Sequence, residues 1–223
     1  MFKIETHMHT KYSSSCGKAG VEDILPGYRD AGYSGIVVTD HFNRYCFGKL
    51  GATDWSDADK FKLFLDGYNR VKEAAPDYGL RIYRGAEIRF DECDNDYLLY
   101  NFPDELLLES DGLFTMGIAA FAPLAREAGA MIIQAHPYRR PCTPAIACYL
   151  DAVEIQNCHP RQINRNELAA EYAKDHGLLG ISGSDCHQKV DIGRGGILVE
   201  TLPEDETQLV QIIRSGKFEM IVP

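Results

Sequence analysis

Seven side chains suited to binding cations stand at the ends of apolar, β-rich segments: His7, His9, His41, Glu87, His136, Asp185 and His187. His7-Met8-His9 and Asp185-Cys186-His187 are i, i+2 pairs, and in extended chain that spacing sends both side chains to the same side. Each pair can grip one ion. Imidazole mixed with carboxylate suits Zn, Mn or Fe, whereas Mg and Ca favour nearly all-oxygen shells. With one carboxylate able to bridge, the set can hold at least two ions. A lone histidine is more often a hydrogen-bonded structural residue, so the metal reading rests on the joint pattern of two close pairs and three singles. His176, near a helix C-terminus, reads as structural because an imidazolium there favours the dipole, and His159 is open to either role.

Such residues, far apart in sequence, converge only if the fold brings strand ends to one face. Strands are expected at Phe2 to Thr6, Gly35 to Thr39, Arg81 to Ile88, Tyr97 to Asn101, Met131 to Ala135, Ala152 to Gln156, Leu178 to Ser182, Ile197 to Glu200 and, last, Phe218 to Val222. Helical periodicity marks Val21 to Ala31, Ala58 to Ala75, Gly117 to Ala128, Asn164 to His176 and Glu204 to Arg214. Gly32, Gly79, Gly129 and Gly177 each follow such a run, where a left-handed residue closes a helix. The alternation predicts an α/β chain of βα units around a largely parallel sheet, whose strand C-termini open on one mouth.

Composition narrows the partners. The 223 residues carry 23 Lys and Arg against 33 Asp and Glu, a net charge of −10, which repels a polyanion unless basic residues gather on one face. Extended nucleic acid is therefore not an expected partner. The seven cysteines form no CxxC pair and read as reduced thiols. No window is apolar enough for a membrane span, and the N-terminus lacks signal-peptide blocks, so the expectation is a soluble, cytoplasmic protein.

Taken in order, His7-Met8-His9-Thr10, Thr39-Asp40-His41, Gly85-Ala86-Glu87, Ala135-His136-Pro137 and Gly183-Ser184-Asp185-Cys186-His187, with Ile192-Gly193-Arg194 behind them, resemble the motifs of the PHP (polymerase and histidinol phosphatase) superfamily. The resemblance spans nearly the whole chain. It implies one domain, residues 1–223, folded as a distorted seven-stranded (β/α) TIM-like barrel of the PHP type. It also implies two or three divalent transition-metal ions and hydrolysis of phosphoesters. Carried over by position, His7, His9, Glu87 and Asp185 would hold the first ion, Glu87 would bridge to a second held by His136, and His41 and His187 would hold a third. Glu87, Asp185 and His187 would take part in catalysis.

Two departures bear on the metal count. Where the family usually has Ser-Asp-Gly after its first motif, this chain has Ser13-Ser14-Ser15-Cys16-Gly17, so Ser14 occupies the usual ligand position and Cys16 is a substitute thiolate or a structural thiol. No histidine lies between His41 and His136, where many relatives hold the second ion, which leaves Asp96 as an oxygen donor or a turn residue.

Around the centre, Asp40 could orient a ligand imidazole, and Arg139, Arg140 and Arg194 are candidates to grip phosphate with two hydrogen bonds. The connections Phe42 to Asp57 and Pro137 to Tyr149 are candidate pocket walls. The expected activity is hydrolysis of a small organic phosphate, a monoester in preference, by a metal-activated water. The alternatives are a nucleotide or short-oligonucleotide phosphodiesterase, a C–N or C–O hydrolase, and a catalytically weak metal-binding regulatory module.

Overall fold

The computed structural model describes residues 1–223. Its strands are β1 (Phe2–Met8), β2 (Tyr33–Val38), β3 (His41–Phe42), β4 (Arg81–Arg89), β5 (Asp96–Tyr100), β6 (Met131–Gln134), β7 (Ala152–Asn157), β8 (Leu179–Gly183), β9 (Gly196–Val199) and β10 (Glu219–Ile221). The helices are α1 (Val21–Asp30), α2 (Arg44–Lys49), α3 (Asp57–Ala74), α4 (Ser110–Met116), α5 (Ile118–Glu127), α6 (Asn166–His176) and α7 (Glu206–Ser215). All nine expected strands and five expected helices are present. The four glycines read as helix stops are left-handed, with φ between +64° and +81°.

The sheet runs β10-β9-β1-β2-β4-β5-β6-β7-β8, with β3 paired beside β4. Seven of these strands, β1, β2 and β4 to β8, curve round until the first and last meet. There Met8 bridges Cys186 in parallel, His9 N donates to Cys186 O at 2.9 Å, and Cys186 N donates to His7 O at 3.1 Å. The result is a nearly closed, distorted barrel of mixed α/β type. β9 and β10 lie outside the ring as an antiparallel pair on β1, so the expected strands outnumber the barrel's own.

The expectation of a largely parallel sheet needs one correction. β5 runs antiparallel to both β4 and β6. Residues 90–95 between β4 and β5 are too few for a crossover, which takes a dozen or more, and so they close a hairpin. The reversal matters to the site, because Asp96, the first residue of β5, stands at the same mouth as the last residues of the parallel strands.

Helix α2 lies in a stretch expected to be a connection, and α4 in one for which no element was expected. Phe47 of α2 is buried against Phe42, their rings edge-on at 5.2 Å, and Phe42 meets Phe64 of α3 at 5.2 Å and Phe114 of α4 at 5.6 Å. Each ring removed from water contributes roughly 1.5–3 kcal/mol. The 42–57 stretch is thus pinned to the barrel by its buried aromatics, while Tyr45 and Trp55 face solvent and line no cavity with the cation-binding residues.

Candidate metal centre

Alternation along β1 turns Glu5, His7 and the adjoining His9 inward, and all three are fully buried. His41 and Glu87 are directly paired in register between β3 and β4. His136 follows β6, and Asp185 and His187 follow β8. His136 and Asp185 take left-handed backbone conformations, φ +30° and +49°, which cost about 1–3 kcal/mol each in a non-glycine residue and cluster where function requires them. At Gly183 an added Cβ would strike Glu154 Oε1 at 2.6 Å and His7 Cβ at 2.7 Å, so only glycine lets β8 approach the floor of the site.

All seven expected residues meet. His9 Nε2 is 3.3 Å from Glu87 Oε2 and 3.3 Å from Asp185 Oδ1, and His7 Nε2 is 3.5 Å from Glu87 Oε1 and from Asp185 Oδ1. His136 Nε2 lies 3.1 Å and His41 Nδ1 2.9 Å from the two oxygens of Glu87. His187 Nδ1 is 3.3 Å from Asp185 Oδ1. Candidate ligand atoms fall into tight groups, each within 4.8 Å: His7/His9/Asp185, His7/Glu87/His136, His9/His41/His187, His41/Glu87/Asp96 and Asp96/His136/Cys142.

The outward-facing nitrogens decide what the inward ones carry. His7 Nδ1–H donates to Glu154 Oε1 at 2.9 Å. Ser14 has one hydroxyl proton, given to Asp40 Oδ1 at 2.6 Å, so it accepts from His41 N at 3.0 Å and from His9 Nδ1–H at 3.3 Å. With both rings neutral, their Nε2 atoms, 3.2 Å apart, face two carboxylates as lone-pair donors. Two imidazoles and two carboxylates thus converge on one point. His41 Nδ1 is also buried, without an aligned hydrogen-bond partner. A cation satisfies all of them, and the donor set fits a transition metal.

The charges respond accordingly. Burial opposes protonation of His7, but Glu154, Asp185 and Glu87 raise it well above the usual imidazole range, and Glu87 with Cys16 does the same for His41. Burial and the charges of His41 and His187 push His9 well below that range. Burial also works against ionising Glu87 and Asp185, yet the surrounding histidines, and Arg139 in the case of Asp185, hold both well below the usual carboxylate range. His136 sits at about 9: burial and Arg139 oppose its proton, while hydrogen bonds to Cys142 and Glu87 retain it.

The remaining expected residues divide. Arg139 and Arg140 line the cavity above the cluster, about 180 Å³ in volume; Arg194 does not, and its Nε is buried elsewhere without a partner. Arg139 spans Asp185 Oδ2 at 2.6 Å, Asn157 Oδ1 at 2.8 Å and Asn164 Oδ1 at 2.8 Å. Asp40 reaches His9 through Ser14 and fixes Thr10 N and Oγ1, each at 2.7 Å, with no hydrogen bond to the His41 ring. Asp96 comes within the cluster, but both its oxygens accept from Arg89, at 2.8 and 2.6 Å. The Cys16 thiol, raised by burial, is pulled down to about 6 by His41 and His187. His159 packs edge-on to the His187 ring at 5.1 Å and, desolvated to about 4, is neutral at pH 7. Larger concavities lie elsewhere, such as one of about 480 Å³ beside Arg81 at the opposite end of β4, and it contains none of these histidines.

Sequence reasoning did not single out Glu154 and Glu5. Glu154 Oε2 accepts from His136 N at 3.0 Å and Asn157 Nδ2 at 2.8 Å while Oε1 holds His7. Glu5 accepts from the N–H groups of Thr6, His7 and Ser184 and from the hydroxyls of Tyr28 and Ser184, clamping β1 to the loop after β8. The available signal was a carboxylate inside an otherwise apolar strand.

The PHP-associated family model matches residues 164–218, the stretch from α6 into the last strand pair that includes the Asp185 and His187 loop. The match covers about a quarter of the chain. Solved structures share the PHP fold at low identity. A two-domain protein from Bacteroides vulgatus, described as containing a predicted PHP-like metal-dependent phosphoesterase, aligns over 99% of this chain and 64% of its own, at 16% identity and TM-score 0.68. This chain therefore spans just under two thirds of that protein. PsfC from Pseudomonas syringae aligns over 100% and 91%, at 14% identity and TM-score 0.71. A lesion-specific endonuclease from Pyrococcus furiosus aligns over 98% and 57%, at 15% identity and TM-score 0.64. No curated protein matches the sequence. No helix is long and apolar enough to cross a membrane.

Proposed function

We propose that this chain is a PHP-type metal-dependent phosphoesterase acting on small organic phosphates, monoesters in preference, with two or three divalent transition-metal ions. The observation that carries the reading is the convergence of His7 and His9 Nε2 on Glu87 and Asp185, with Nδ1 of each ring held from outside.

His7, His9, Glu87 and Asp185 would hold one ion, His41 and His187 another, and His136 a further one. Bound divalent ions supply an acidified water and neutralise charge on the phosphoryl oxygens. The protein's own groups do the rest. Glu154 and Ser14 hold the imidazoles in the tautomer that offers Nε2. Arg139 orients Asp185 and places a positive charge in the cavity wall, where charge grows in the transition state. Arg140, exposed and free of any ion pair, is placed to grip a phosphate oxygen from the mouth. His187 donates Nδ1–H to Asp185 O at 2.8 Å, which leaves Nε2 for a cation or for a leaving-group proton.

A cavity of about 180 Å³ suits a phosphoryl group better than a polymer backbone, and the −10 charge opposes an extended polyanion. A wider concavity adjoins it through Arg140, Pro141 and Cys142, which supports the nucleotide diesterase as the second reading. Phosphate release from a panel of monoesters and diesters, by protein loaded with Zn, Mn or Fe, tests the proposal. Turnover that vanishes in Asp185→Ala is expected. Equal rates in that variant and the parent would overturn it.

A further inference from the structure

The loop after β6 brings a thiol against the metal centre. Cys142 Sγ lies 3.7 Å from His136 Nδ1, across the ring from Nε2, which meets Glu87 Oε1 at 3.1 Å. Asp96, from the start of the reversed strand β5, completes a group whose ligand atoms lie within 4.8 Å of one another. We propose that Cys142 is a thiolate ligand, binding a cation together with His136 and Asp96. The inference rests on the metal-dependent reading above.

Three observations support it. Zinc binds sulfur at about 2.3 Å and imidazole at about 2.0–2.1 Å, so two such donors on a tetrahedron stand roughly 3.5 Å apart. The separation in the structure is close to that. Next, a ligand imidazole commonly gives its other N–H to a carboxylate, and Glu87 receives Nε2–H of His136. Finally, Asp96 is held by the Arg89 fork yet keeps a free lone pair on each oxygen, and Arg89 and Cys142 line the same cavity. The thiol's present bond to Asp94 O, 3.3 Å, is given up with its proton. A sulfur, nitrogen and oxygen set selects zinc or iron over manganese.

The test is cobalt(II) titration of the chelator-stripped full-length chain without oxygen, comparing wild type, Cys142→Ser and Cys16→Ser. Visible d–d bands report bound cobalt whatever its ligands, and the near-ultraviolet charge-transfer band reports sulfur. Wild type should show both, Cys16→Ser should keep both, and Cys142→Ser should keep the d–d bands while losing the sulfur band and one cobalt equivalent. A sulfur band that survives in Cys142→Ser, or d–d bands without any sulfur band in wild type, overturns the proposal and leaves the metal reading standing. Absence of d–d bands overturns both. The wild-type spectrum is decisive even if a variant folds poorly.

Discussion

Ser14 Oγ lies 3.3 Å from His9 Nδ1 and fixes which nitrogen of that histidine carries the proton. Ser14, which the sequence resemblance puts at a ligand position, is here a hydrogen-bond relay from Asp40 to His9. Ser14→Ala should leave the fold intact and weaken binding of the tightest ion by about 10–100-fold, the usual cost of removing a ligand's orienting partner. Competition against a chelator of known affinity measures this. Unchanged affinity would show that the tautomer is fixed by other means.

Glu154 serves His7, the backbone of His136 and Asn157 at once. Glu154→Gln keeps the volume but offers an N–H to groups that themselves donate. We expect a loss on the order of 1–3 kcal/mol in the metal-free protein, since a buried donor goes unpaired. Denaturant unfolding in chelator reads it, and a midpoint equal to wild type would contradict the assigned role.

The sign of the pH dependence follows from His136. Its folded value of about 9 lies above the ordinary 6.5, so its contribution to metal-free stability is complete below about 6.5 and lost as pH rises through about 9. A cation competes for the same ring, so binding near pH 7.5 should release protons. Calorimetry in buffers of different ionisation enthalpy detects that release. A stripped protein whose Tm does not fall between pH 6.5 and 9, or metal uptake without proton release, would count against the arrangement.

Arg139 and Arg140 are neighbours in sequence with different tasks. Arg139 is bound to buried Asp185, and Arg139→Ala strands that carboxylate at a cost of about 3–5 kcal/mol in the metal-free protein. Arg140→Ala should leave stability within about 0.5 kcal/mol of wild type and raise KM for a phosphomonoester about tenfold with little change in kcat. Equal KM values would remove Arg140 from substrate binding.

Much of the centre was visible in sequence because strand-end histidines and i, i+2 pairs depend only on local period. His7, His9, Asp185 and His187 needed no knowledge of pairing. What depends on long-range contact stayed hidden: Glu154 meets His7 across 147 residues and Cys142 approaches His136 around a loop, while Arg139 is claimed by Asp185 rather than left free for phosphate. The β4–β5 hairpin was within reach of a loop-length argument, since its six residues exclude a crossover. Helices α2 and α4 were missed because their short apolar runs serve one side of an aromatic cluster and are too brief to show a period.

The central claim is that these converging lone pairs hold metal. Elemental analysis of gently purified protein, without chelator, tests it most directly. Two or three equivalents of Zn, Mn or Fe per chain are expected. Less than one equivalent, not restored by added metal, would contradict the account and favour an inert module.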